Sequence, residues 1–397
     1  MARPMTGPMT VNRRKFLLTS AGAAAAGPLI PAVAIASDTP LPDFASWKNA
    51  DALIIHTPNT METRREAMGA PPITAADELY VRNNLPAPPT SIADDPDSWA
   101  IEFVGVAEPG SMTLGDIKGL GVESVVAVLQ CSGNGRAFFA HETSGTQWGV
   151  GAAGNVVWTG VPLRNVIDAM GGTEVPTGFV TATGGEELPE GLDPLSLMVE
   201  RSVPMDALED ALLVYEMNGA PLTVAHGGPV RFVVPGYYGV NNVKYVKKIT
   251  LSTDESEAKI QQSGYRVRDV GESGASTQPS MYEMVVKSWV TEPMLDRAAG
   301  TVLIQGVAMG GNSPVASVEV STDGGENWLA ADLTGPDMGR FAWRPFALMA
   351  DLDPGTHVIA SRARNDAGEE QPANVPPNHR GYGHNGWRAH AIELTLT

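Results

Sequence analysis

The chain has 397 residues, a formal charge of −18 and a single cysteine. With 45 Asp and Glu against 27 Lys and Arg, it is a poor partner for nucleic acid or for an anionic membrane surface. One thiol excludes an internal disulfide framework, and without a Cys-x-x-Cys-His stretch no covalently attached haem is expected in this chain.

The N-terminus reads first as an address. Arg13-Arg14, with Phe16 and Leu17 beyond them, precede an Ala- and Gly-rich stretch that ends in Ala34-Ile35-Ala36. The pattern resembles a twin-arginine export signal with a small-residue cleavage site, so residues 1–36 are expected to be removed and the mature chain to be periplasmic. The stretch is too Pro-broken for a spanning helix, and no stable membrane anchor is expected. Removal takes away Arg3, Arg13, Arg14 and Lys15 but no acid, leaving −22. Export of an already folded chain points to a cofactor loaded beforehand. About 360 residues then remain, enough for two domains.

Residues 99–107 and 122–130 read as strands from their β-branched content. Apolar residues at 163, 166, 167 and 170, followed by Gly171-Gly172, predict an amphipathic helix over 161–172. Residues 211–219 and 229–236 look like buried strands, and 243–251 alternates lysines with apolar residues. The stretch 264–280 is Gly- and Ser-rich without a period, as a linker would be. After Met281 the pattern becomes short apolar runs separated by Gly, Asp and Pro, and Asp323-Gly324-Gly325 between two such runs is a hairpin signal. The expected organisation is an α+β domain over 37–265, a linker over 266–280 and an all-β, immunoglobulin-like sandwich over 281–397.

Cys131 ends an apolar run and opens Ser132-Gly133-Asn134-Gly135-Arg136. Three roles fit a lone thiol there. It is a buried structural residue, a catalytic thiolate with a histidine partner, or a thiolate ligand to a metal. One sulfur anchors a bare ion poorly, since zinc wants about four ligands; it suffices if a cofactor brings the rest.

The segment LQCSGNGR (129–136) resembles the cysteine motif of the sulfite oxidase family. LYVRNNLPAP (79–88), TQWGVGAAGNVVWTGVPL (146–163) and YEMNGAPLTVAHGGPVRFVVPGYYGVNNVKYVKKI (215–249) resemble further motifs of that family, in the same order. GVAMGGNSPVASVEVSTDGGENW (306–328) is similar to its C-terminal dimerisation domain. The collinear likeness runs from about residue 50 to residue 397.

The resemblance implies a sulfite-oxidase-type molybdopterin domain that holds one molybdenum per chain, with Cys131 as the metal thiolate. Arg82, Arg136 and Tyr265 would form the substrate pocket. Tyr80, Val81, Arg82, Asn83 and Asn84 would make a first pterin-binding segment. His226 and Arg231 would meet the pterin and its phosphate, Asn242, Val243 and Lys244 would make a third segment, and Glu186 would be an acidic contact. Read by themselves, Arg82 and Arg136 suit surface ion pairs and Lys244 a solvated lysine on an alternating strand. Implied in turn are oxidation of sulfite to sulfate, electron delivery to an external c-type cytochrome and a homodimer built through the C-terminal domain. A sulfane or thiosulfate-pathway dehydrogenase with the same cofactor is the alternative, and outside enzymes an exported binding or adhesion protein. Three positions depart from the family pattern: Asn84 replaces a histidine, while Gly135 and Asn241 replace arginines. No counterpart of the cytochrome b5 domain of animal members is expected in this chain.

Overall fold

The computed structural model describes residues 40–397 except 70, 176 and 177; the expected signal at 1–36 lies outside them. Among the described residues no helix is long and apolar enough to cross a membrane.

The N-terminal part carries three sheets. Leu53–Thr57, Thr60–Thr63 and Val81–Arg82 form a small antiparallel one. A second runs in the order Ala220–Pro221, Leu212–Met217, Ala153–Pro162, Glu123–Gln130, with Arg231–Val233 also paired to Leu212–Met217. The third is ordered Gly110–Thr113, Ala100–Val104, Val246–Ser252, Phe179–Gly184, Glu200–Pro204, and only its Ala100–Val104 and Val246–Ser252 pair is parallel.

The expected amphipathic helix is Leu163–Ala169, which buries Leu163, Val166 and Ile167 against Phe103, Val180 and Phe232. It stops where Gly171 and Gly172 take positive φ, a conformation that costs glycine least. A shorter helix, Leu114–Lys118, starts at a reciprocal Thr113–Asp116 capping box. Large side chains with no access to solvent, Trp148 and Trp158 among them, pack behind the sheet that carries Cys131. Burial at this level is worth roughly 2–3 kcal/mol per large apolar side chain.

The expected linker region, 264–280, carries no helix or strand but is tied down. Buried Arg266 donates to the carbonyls of Gln261 and Gln278 and pairs with Glu255. Beyond it lies a nearly closed all-β domain with strand order Lys287–Glu292, Gly300–Met309, Arg344–Leu352, Leu329–Leu333, Val315–Ser321, Gly355–Asn365, Ile392–Leu396. The hairpin expected at Asp323 joins Val315–Ser321 to Leu329–Leu333, with Gly324 and Gly325 at positive φ. Its core includes Ile304, Val320, Phe346 and Ile359.

The two parts share buried polar contacts. Arg65, half-buried, donates to the carbonyls of Val290 and His390 at 2.7 Å each, and the Trp343 indole N–H donates to Pro72 O.

Candidate active site

Strand Glu123–Gln130 is exposed at its start and buried at its end, where it delivers Cys131 beneath a cleft. The Cys131 amide donates to Ala152 O at 2.9 Å, and the Asn134 amide returns to Cys131 O at 3.0 Å. The tight loop between them holds the thiol, which is 8 % exposed. The cleft, counted together with the open solvent at its mouth, spans about 650 Å³.

Most of the expected site residues line it. Tyr80, Arg82, Asn83, Asn84, Cys131, Glu186, His226, Arg231, Asn242, Val243, Lys244 and Tyr265 converge there from five separate stretches of chain, 80–84, 131, 186, 226–244 and 265. Val81 lies beside them but is buried in strand Val81–Arg82, behind the wall. Arg136 is also outside the lining: its Nε donates to Arg380 O at 2.8 Å and its Nη1 to Thr146 O at 2.7 Å. That guanidinium is buried against Tyr382 rather than open to the cleft.

The cleft is strongly positive at one end. Lys244 Nζ donates to Asn83 Oδ1 and Ala225 O at 2.6 Å each. Arg231 donates to the carbonyls of His226 and Asn242 at 3.0 Å each. Burial, helped by Arg231, pushes the Lys244 ammonium well below the usual lysine range. Burial, then Lys48, Lys244 and Arg231, hold His226 well below its ordinary value, so its ring is neutral. Glu186 is the one carboxylate in the lining, and burial raises it to about 7 against the pull of Lys244. Arg82, Arg231 and Lys244 therefore face a single carboxylate in the lining.

At the other end Tyr265 sits at φ 49, a backbone region that a bulky residue enters only when its surroundings hold it there. Its ring stacks on Tyr382 at 5.3 Å and 11°. Its hydroxyl lies 3.4 Å from Asn84 Oδ1, a long hydrogen bond. Arg82 also lines the cleft, half-buried, and donates to the carbonyl of its neighbour Asn83.

The departures from the family pattern have local causes. Gly135 has φ 93, and a Cβ there would meet His384 Cβ at 2.9 Å, so a larger residue has neither the conformation nor the room. Asn241 donates to the carbonyls of Tyr238 and Met281. Its Oδ1 receives both Nε and Nη2 of Arg201. A guanidinium absent at 241 thus arrives from strand Glu200–Pro204, 5.8 Å from the Tyr265 ring centroid.

Several contributors went unforeseen. Ser132, Leu129, Val199, Gly239 and Val240 complete the lining. From the C-terminal domain, the Gly383 amide donates to Ser132 O and Tyr382 backs Tyr265. Arg380 stands nearby with its Nε buried and unpartnered. The repeated His and Gly of NHRGYGHN (378–385) were the available signal, but nothing in the spacing joins them to Cys131.

The chemistry of the lining fits a phosphorylated pterin. Buried Asn83 Nδ2 and Ser132 Oγ, both on lining residues, have no partner among the described residues. Each such orphan costs about 1–3 kcal/mol, and a ligand rich in acceptors and negative charge would relieve both that cost and the excess of cations. A thiolate facing the same space would add one soft ligand to a metal that the pterin already holds.

Fold and cleft together define a molybdopterin-dependent oxidoreductase. Residues 87–260 match the model of the oxidoreductase molybdopterin binding domain, and 278–395 that of the Mo-co oxidoreductase dimerisation domain. The chain belongs to the sulfite oxidase family. It is 31% identical over 371 residues to sulfite oxidase of Arabidopsis thaliana, covering 85% of this chain and 92% of that one. It is 32% identical over 372 residues to mitochondrial sulfite oxidase of Homo sapiens, covering 85% of this chain but 66% of the human enzyme. The crystal structure of the sulfane dehydrogenase SoxCD from Paracoccus pantotrophus is similar with a TM-score of 0.73 and 25% identity, over 87% of this chain and 88% of that one. The reading of the chain as a binding or adhesion module is set aside by this membership.

Proposed function

We propose that this chain oxidises sulfite to sulfate at a pterin-bound molybdenum ligated by Cys131. The observation that carries the reading is the lone thiol in a cation-lined cleft, with Arg82 and Tyr265 beside it. Bound there, the molybdenum supplies a two-electron oxidant through which sulfite and water become sulfate, two protons and two electrons. The chain binds and orients the anion. Arg82 offers a guanidinium suited to an oxyanion, and Tyr265, buttressed by Tyr382, offers a hydroxyl. His226, Arg231 and Lys244 hold the phosphate end of the pterin, with Tyr80, Asn83, Asn84, Glu186, Asn242 and Val243 along its length. The electrons pass to an external c-type cytochrome, for which the charge of −18 favours a basic docking partner. We read the enzyme as exported to the periplasm and dimeric through its C-terminal, immunoglobulin-like domain.

A specific observation favours a second substrate. Arg136 is engaged with carbonyls and Gly135 has no side chain, so fewer cations reach the substrate end than the family pattern would bring. A substrate end with fewer cations suits a less charged sulfur compound such as a sulfane, the substrate named for the Paracoccus relative.

The test is sulfite-dependent reduction of ferricyanide and of cytochrome c by the molybdenum-loaded protein. Saturable turnover supports the sulfite reading. Full molybdenum occupancy with no sulfite turnover overturns it and favours the sulfane reading.

A further inference from the structure

Lys48 is not part of the cleft wall, yet it reaches the wall from behind. It precedes the first strand, on a segment that packs over the outside of the His226 turn, and is only 5 % exposed. Its Nζ donates to Ala76 O at 2.7 Å and lies 3.2 Å from His226 Nε2. The adjacent Trp47 ring closes this contact from outside. Its centroid is 4.8 Å from Lys48 Nζ, and it meets the imidazole edge-on at 5.9 Å.

A buried ammonium normally finds a carboxylate, because desolvating an unpaired charge is costly. Among the described residues Lys48 has no carboxylate within 4.0 Å. Asp77 and Glu78 act on it only from further away, and burial brings its ammonium down to about 7. Lys244 and Arg231 are in the same condition, each bonded to neutral oxygens. Three basic side chains, Lys48, Lys244 and Arg231, therefore stand around one imidazole, with Glu186 as the carboxylate in the lining. An arrangement so short of negative charge is costly unless an anion joins it.

The hydrogen bonds also choose a tautomer. In its ammonium form Lys48 has protons for both Ala76 O and His226 Nε2, and Nε2 then accepts. Ala76 O also lies 3.2 Å from Nε2, but the ammonium is closer to that oxygen. The imidazole proton then resides on Nδ1, which has no partner among the described residues.

We propose that Lys48 is a positioning residue for the phosphate end of the cofactor: it fixes His226 as the neutral Nδ1–H tautomer, so that the ring donates into the cleft, and adds a positive charge behind it. This rests on the reading that the cleft holds a phosphorylated pterin. It assigns a function to a segment that contributes no residue to the cleft lining.

The experiment compares wild type, Lys48→Met and Lys48→Arg. Each is prepared as holoenzyme and as apo-protein from cells unable to make the pterin. Released pterin is quantified by fluorescence, molybdenum by mass spectrometry, and the melting temperature is measured for both forms. The expected result for Lys48→Met is an apo-protein that melts at or above wild type, since an unpaired buried charge is gone. The same variant should hold roughly tenfold less pterin after dialysis and show a smaller gap in melting temperature between holo and apo. Lys48→Arg should restore both. A Lys48→Met protein that loses as much thermal stability in the apo form as in the holo form would overturn the proposal, as would one with wild-type pterin and an unchanged gap. Should Lys48→Met fail to accumulate, Lys48→Gln carries the same readouts. Wild type devoid of pterin would sink the cofactor reading and this inference together, whereas equal pterin in wild type and variant sinks the role of Lys48 alone.

Discussion

The two ends of the cleft are built to different standards of rigidity. At the His226 end every cation is fixed by hydrogen bonds of 2.6 to 3.2 Å to oxygens or to a ring nitrogen, and Lys48, Asn83, His226 and Arg231 are buried. At the Cys131 end the polar groups are half-open. Arg82 and Tyr265 are partly exposed, Asn84 is exposed, and the Tyr265–Asn84 contact is 3.4 Å long. A group that stays bound through many turnovers is best met by prepared, dry charges. A substrate that enters and leaves as an anion needs access and some freedom in its partners. The contrast predicts which substitutions alter cofactor content and which alter only turnover.

The largest effect belongs to the thiol. Cys131→Ser should lower sulfite turnover at least about a hundredfold, since a direct ligand matters more than the supporting partners whose loss costs 10–100-fold. Pterin content should stay near wild type, because the phosphate end is untouched; normal turnover would remove Cys131 from the metal. Next comes Lys244→Met, which should deplete pterin and molybdenum alike. Losing a hydrogen bond from a charged group costs about 1.5–3 kcal/mol, roughly tenfold to a hundredfold in affinity, and undiminished pterin would contradict the contrast between the ends.

Tyr265→Phe should raise KM for sulfite by roughly tenfold, the scale of one hydrogen bond to a charged group, without changing pterin content. Steady-state kinetics beside a pterin assay separates the two ends directly.

The smallest effect is a pH dependence of the apo-protein. Glu186 is raised by burial from 4.5 to about 7, so between those values the folded chain holds a proton that the unfolded chain has released. Stability contributed by that proton is complete below 4.5 and is lost as pH rises through about 7. Melting temperature followed from pH 4.5 to 7 should fall less steeply in Glu186→Gln than in wild type. Equal slopes would mean that Glu186 titrates normally.

Legibility in the sequence follows the same division. Helix Leu163–Ala169 and the hairpin at Asp323 could be read because their signals are local, a period of apolar residues and a turn dipeptide. The cleft residues could be found where contiguous motifs carry them, as in 79–88 and 226–244. Arg136 shows the limit. Its motif places it next to the thiol in sequence, but the loop turns its guanidinium toward Arg380 O. Lys48, Arg201 and Tyr382 lay beyond reach because their relevance comes from long-range packing. A lone lysine in SWKNAD carries no mark that it will be buried against a histidine 178 positions away.

The return of residues 378–384 onto the Cys131 loop has a consequence for biosynthesis. Gly383 bonds Ser132, Arg380 O receives Arg136, and Tyr382 backs Tyr265. A chain made from its N-terminus onward presents the pterin-binding strands to the cell well before these residues emerge from the ribosome. Until they do, the thiol loop lacks one wall. Nascent chains thus pass through an interval in which the cleft is open on the side of the thiol, and the wall of the site is finished only after nearly all of the chain has been translated.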